Sequence, residues 1–206
     1  MNTSHSFRYS LSLLCVAATT LGTSPSGAQQ TAPDQALNQY QPPEAGDDFM
    51  AVPGSTVDGH LQARGQLIFD YARNPLQLED ENGDTVATPV SDQGFLHFGA
   101  SLALWDRLLV GLSFPLAVFQ SGEEANVGTA SFPSADGVAA GDIRLGLRGH
   151  IVSVADGAFS LGAGGFVFFP SGSDEYAGDG SVYGEPHLLV GGKIGIFRYD
   201  ANLGSV

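Results

Sequence analysis

The stretch from Gly94 to Phe119, GFLHFGASLALWDRLLVGLSFPLAVF, constrains the fold more than any other part of the chain. A two-residue period runs on both sides of a break at Trp105-Asp106-Arg107. Before the break, Leu96, Phe98, Ala100, Leu102 and Leu104 share one face, and Phe95, His97, Gly99, Ser101 and Ala103 share the other. After it, Leu108, Val110, Leu112, Phe114, Leu116 and Val118 alternate with Leu109, Gly111, Ser113, Pro115, Ala117 and Phe119. One face is unbroken large hydrocarbon and the other is small or mixed. Period two means strands. Strands with a wholly apolar face suit lipid, and lipid admits strands only as a barrel. A membrane helix over the same residues would bury Asp106 and Arg107, at about 2.5–3.5 kcal/mol for each charge near the helix centre.

The same period returns elsewhere. From His60 to Tyr71, Leu61, Ala63, Leu67, Phe69 and Tyr71 oppose Gln62, Arg64, Gln66 and Asp70. Asp142 to Ile151 sets Ile143, Leu145, Leu147 and Ile151 against Asp142, Arg144, Gly146, Arg148 and His150. Three more strands are predicted over Ala158–Phe169, over Pro186–Ile194 and onward from Phe197. The connections alternate in length. Residues 73–93, 120–141 and 170–185 are long, whereas 105–107, 153–157 and 195–196 are short. Sorting of long and short loops to opposite rims marks an up-and-down membrane barrel. Phe69, Tyr71, Phe98, Trp105, Phe159, Phe169, Phe197 and Tyr199 fall near strand ends, as interfacial aromatic girdles do.

The first 28 residues read as a secretory signal: Arg8, then the apolar run Leu11–Leu21, then small residues at Ser26-Gly27-Ala28. This implies export through the Sec pathway. The single cysteine, Cys15, lies within that segment, so the remainder holds no disulfide or cysteine-based site. Residues 29–50, rich in Gln, Pro, Ala and acid, are expected to be a flexible periplasmic lead-in, with barrel strands over 51–206.

The chain carries a net charge of -14, with 8 Lys and Arg against 22 Asp and Glu. Such an acidic chain without basic patches points away from nucleic acid. The polar residues of the strands fall on the parity opposite the hydrocarbon. Arg64, Asp70, His97, Asp142, Arg144, Arg148, His150, His187, Lys193, Arg198 and Asp200 are the predicted lumen-facing set, either as barrel-filling ion pairs or as a wet pore lining. His97, His150 and His187 share that parity on three strands, but sequence gives no common height for a metal. Glu79-Asp80-Glu81-Asn82-Gly83-Asp84 resembles part of a calcium loop without its later bidentate glutamate, and Asn82-Gly83 reads more simply as a tight turn. Asp174, Glu175 and Asp179 form a second acidic loop. His97 and Ser101 share a face, yet no acid or oxyanion feature accompanies them, and none of the common hydrolase, zinc or phosphate-loop motifs is present. No catalysis and no cofactor are expected.

VPGSTVDGHLQARGQLIFDYARNPLQL, FLHFGASLALWDRLLVGLSFPLAV, GDIRLGLRG, FVFFPSG, YAGDGSV and FRYDANLG together resemble the N-terminal barrel of OmpA-family outer-membrane proteins of the myxobacterial type. They are also similar to outer-membrane barrels described as transporters. The resemblance covers residues 50–206 and implies an all-β, antiparallel, up-and-down transmembrane barrel in the outer membrane. It implies a porin-like or structural envelope role, with lipid and lipopolysaccharide as partners. Seven strands are predicted and the last stops in mid-strand at Leu203–Val206, so the expectation is an incomplete barrel. Further wall and a peptidoglycan-gripping C-terminal domain would lie beyond it. The competing expectation is a soluble periplasmic or secreted β-sandwich binding module, its apolar faces forming a core.

Overall fold

Each two-residue alternation forms a strand, and the strands pair with their sequence neighbours. The computed structural model describes residues 30–31, 36–80, 82–127, 130–173 and 176–204. The proposed signal segment lies outside them. The elements are β1 (Gln30–Thr31), β2 (Gln62–Glu79), β3 (Thr85–Leu104), β4 (Leu108–Ser121), β5 (Ala125–Val127), β6 (Ala130–Phe132), β7 (Ala139–Ala140), β8 (Ile143–Val154), β9 (Phe159–Phe169), β10 (Tyr183–Ile194) and β11 (Phe197–Gly204). The seven long strands form one antiparallel sheet in the order β11-β10-β9-β8-β4-β3-β2. It curls into an open half-barrel, with β2 and β11 as edges. These strands lie in one layer, not in two sheets packed face to face as a sandwich requires.

Three tight turns gather at one rim. Trp105 and Asp106 both have φ near +55°, at 55° and 54°, and so do Ala155 and Asp156, at 52° and 53°. Left-handed residues in both central positions give the I′-type turn whose twist matches a right-handed hairpin. Gly195, with φ 61°, makes the third turn, between β10 and β11. The opposite rim carries the long connections, but they are less loop-like than the sequence suggests. Within 73–93, β2 runs on to Glu79 and β3 begins at Thr85, leaving a tip at residues 80–84. Register shifts between Arg73 and Glu79 interrupt the regular ladder along this part of the hairpin. Within 120–141, β5 pairs with β6, β6 pairs in parallel with β1, and β7 pairs with β4.

The two faces differ as the parity requires. On the convex side Leu67, Phe69, Phe98, Leu102, Val110, Leu112, Leu145, Leu147, Val167 and Leu188 are all exposed, Leu67 by 61 % and Leu147 by 55 %. On the concave side Phe95, His97, Ser101, Leu109, Ser113, Arg144, Arg148, Ser160, Phe166 and Leu189 are buried. Phe119 departs from simple alternation. A bulge between Gly94 and Phe95 shifts the β3–β4 register, so Phe119 pairs with Gly94 and turns outward. There it meets the Tyr71 ring at 6.2 Å between centroids.

What buries the concave side is the segment expected to be a flexible lead-in. Residues 36–60 cross that face from rim to rim as an irregular strap. At the long-loop rim Leu37 N–H donates to the Tyr176 carbonyl and Ala36 N–H to Asp179. At the short-turn rim Gly59 N–H donates to Asp106, and Trp105 N–H to the His60 ring. The lead-in therefore begins at the long-loop rim, not beyond the short turns. The cause is polar satisfaction. The concave face holds charged and hydroxyl side chains, and burial costs them free energy unless each finds a partner. The strap supplies carbonyls and carboxylates.

Candidate functional site

The strap and the concave wall form the one extended polar interior among the described residues. Glycines open the space. A side chain on Gly146 would meet Glu44 at 2.8 Å, one on Gly111 would meet it at 2.6 Å, and one on Gly162 would meet the Ser55 carbonyl at 2.8 Å. These glycines lie in mid-strand on the inward parity, which is where backbone approaches backbone.

Arg148 anchors the centre. Its Nη1 and Nη2 donate to the two oxygens of Asp47 at 2.9 and 2.7 Å, and Nη1 also donates to the Gly54 carbonyl at 2.8 Å. Glu44 lies 3.7 Å from the same guanidinium. Two-pronged pairing of this kind is the strong form of a charge-assisted hydrogen bond. Arg144, four residues earlier on β8, donates to the Pro42 carbonyl and lies over the Phe166 ring, 4.2 Å from its centroid.

The remaining predicted lumen residues fall into small groups. Asp70 on β2 contacts His97 on β3, and Asn38 of the strap reaches Asp70 at 3.2 Å. The Tyr40 ring meets the His97 ring edge-on at 5.5 Å. Arg64 donates to the Asp58 carbonyl at 2.6 Å and to Gln62. His150 contacts the Ser55 carbonyl at 3.0 Å and the Ser153 hydroxyl at 3.2 Å. Asp200 accepts from both the N–H and the hydroxyl of Ser55 at 2.9 Å, while the same hydroxyl meets Ser160. Arg198 pairs with Asp48. His187 packs edge-on against the Phe166 ring, with its centroid at 4.7 Å. Asp142 faces a different task. It accepts from the backbone N–H groups of Ser171, Gly172 and Asp179 and so pins the 170–182 connection. Lys193 stands exposed near the short-turn rim.

The three histidines do not converge, and no group of three or more His, Cys, Asp or Glu among the described residues is placed to hold a metal ion. At the β2–β3 tip the Asp80 carboxylate accepts from the N–H groups of Asn82 at 2.8 Å and Asp84 at 2.9 Å. Those bonds hold its carboxyl below the usual carboxylate range. In the other acidic loop, Asp179 accepts from Ala36, while Asp174 and Glu175 lie outside the described residues. Ser101 donates to the Ala45 carbonyl at 2.6 Å, so it and His97 serve separate partners.

Sequence reasoning missed the strap side of this interior: Asn38, Tyr40, Glu44, Asp47 and Ser55. Its signal was present in the inward glycines, which leave room that only a second backbone fills. No family model, no curated protein and no solved structure matches this chain, so its placement rests on the geometry alone.

Proposed function

We propose that this curled sheet is the wall of an outer-membrane-type β-barrel with a structural role in the envelope, its interior occupied by residues 36–60. The observation that carries the reading is the convex face. Its large side chains are exposed along the strands, and no second layer of the described residues covers them. In water each such side chain, 38–61 % exposed, forgoes part of the roughly 1.5–3 kcal/mol that full burial gives. Against lipid it does not. The length fits, because a tilted strand of about 9–11 residues crosses a bilayer, and the outward stretches of β3, β4, β8, β9 and β10 supply that. Trp105, Phe159, Phe197 and Tyr199 then lie toward the short-turn interface. Phe69, Tyr71, Phe119 and Phe169 lie toward the other. Lipid and lipopolysaccharide are the partners of the convex face in this reading. A structural role is favoured over permeation because the strap fills the side on which a pore would run. The test is fractionation. The chain stays with outer membranes through carbonate and high-salt washes, and release by either wash would overturn the proposal.

A second reading, a soluble exported module that binds a ligand, draws on the concave side. A cavity of about 410 Å³ lies between strap and wall near the long-loop rim. A monodisperse, detergent-free solution of the chain would favour this reading over the barrel wall.

A further inference from the structure

Ser113, Arg144, Phe168 and Tyr183 form a single row across four adjacent strands. Ser113 pairs with Arg144, Arg144 with Phe168, and Phe168 with Tyr183. The row lines the cavity of about 410 Å³, which Asn38, Tyr40 and Pro42 of the strap border from the other side. That volume is in the range of small-molecule sites, about 300–1,000 Å³.

The hydrogen-bonding capacity around this cavity is uneven. Its carboxylates each accept hydrogen bonds already. Asp142 takes three backbone N–H groups, Asp70 is engaged by His97 and Asn38, and Asp179 accepts from Ala36. The donors are not spent. Arg144 is 5 % exposed and carries five N–H groups. It donates to the Pro42 carbonyl, and among the described residues no carboxylate lies within the 4.0 Å of an ion pair. Ser113 beside it is 8 % exposed and lines the same cavity. Arg148, by contrast, has Asp47 on both prongs. Glu44 and Glu185 act on Arg144 only from beyond that 4.0 Å. A buried guanidinium with no directly bonded carboxylate is costly, and an anion in the cavity lowers that cost. Next to the guanidinium in the row, the Phe168 and Tyr183 rings stack at 4.3 Å between centroids and give the cavity an apolar surface.

We propose that this cavity binds a small organic monocarboxylate. Its carboxylate meets Arg144 and the Ser113 hydroxyl, and its apolar body lies against the Phe168–Tyr183 stack. The carboxylates of Asp70, Asp142, Asp179 and Glu185 nearby disfavour a dianion. The proposal holds in either setting of the sheet, membrane or solution.

Calorimetric titration of the full chain in detergent with benzoate, benzamide, benzylamine and inorganic phosphate tests it. Benzoate is expected to bind, with the other three at least about tenfold weaker, as a charge-assisted hydrogen-bond set requires. Arg144→Gln brings benzoate down to the level of benzamide while leaving benzamide unchanged. Should Arg144→Gln not fold, Ser113→Val, which retains the guanidinium, still weakens benzoate severalfold. Absence of benzoate binding, equal binding of phosphate or benzylamine, or benzoate affinity unchanged in the variants would overturn the proposal.

Discussion

Arg148 on β8 grips Asp47 of the strap with both terminal nitrogens, at 2.9 and 2.7 Å, and both side chains are almost wholly buried. The bond joins the middle of the wall to a segment 101 residues earlier in the chain. Removing Arg148 leaves Asp47 and Glu44 buried without their cation, and removing Asp47 leaves Arg148 buried with only the looser Glu44 contact at 3.7 Å. Asp47→Asn or Arg148→Met is therefore expected to destabilise the fold by about 3–5 kcal/mol, and the double replacement by less than the sum. Denaturant midpoints of the two single variants and the pair check this.

The glycine pattern makes a second expectation. Gly162→Val drives its side chain into the Ser55 carbonyl, for which even a Cβ sits at 2.8 Å. Overpacking of that kind costs about 1–3 kcal/mol. Gly184→Ala, whose Cβ would sit 3.5 Å from the Phe166 carbonyl, meets only ordinary contact and is the control. Thermal melts of both, with limited proteolysis of residues 36–60, report whether the strap has been lifted.

The convex face separates the two settings of the sheet. Leu147 is 55 % exposed and points away from the strap. In a bilayer Leu147→Arg costs about 2–4 kcal/mol near the midplane and blocks assembly. In solution the same exposed replacement changes stability by about 0.5 kcal/mol or less. Membrane-fraction yield of Leu147→Arg against wild type is the measurement, and undiminished yield would count against lipid contact.

The β2–β3 tip has a pH response of known sign. Asp80 accepts N–H groups from Asn82 and Asp84, and its carboxyl is held below the ordinary 3.8. A folded-state value lower than the unfolded one gives order that is fully present above pH 3.8 and is lost as pH falls through the depressed value. Amide exchange at Asn82 and Asp84 is expected to speed up over that acid range relative to neighbouring β3 amides, and Asp80→Asn removes the difference.

Strand positions were legible in the sequence because period two is local: Leu145 and Leu147 announce their face without reference to anything distant. Turn positions were legible for the same reason. The strap was not. Pro42, Pro43 and the acids around them have the composition of a linker, and their burial depends on partners such as Arg144 and Arg148, about a hundred residues later. The outward turn of Phe119 was also hidden, because the bulge that reverses its parity arises from pairing with Gly94, not from either residue alone. The inward polar residues could be assigned a side but not a role. His97 and Asp142 share that side, yet one faces the Tyr40 ring and the other ties down a loop.

The strap touches every strand of the wall, from Gln66 on β2, which donates to the Pro43 carbonyl, to Asp200 on β11, which accepts from Ser55. It precedes all of them in the chain. The curl of the sheet thus fits what lies inside it, like hoops drawn around a former. The Ser55–Asp200 contact spans 145 residues and closes only when β11 has arrived. The last of the described strands thus completes the seat of a segment that precedes all seven in the chain.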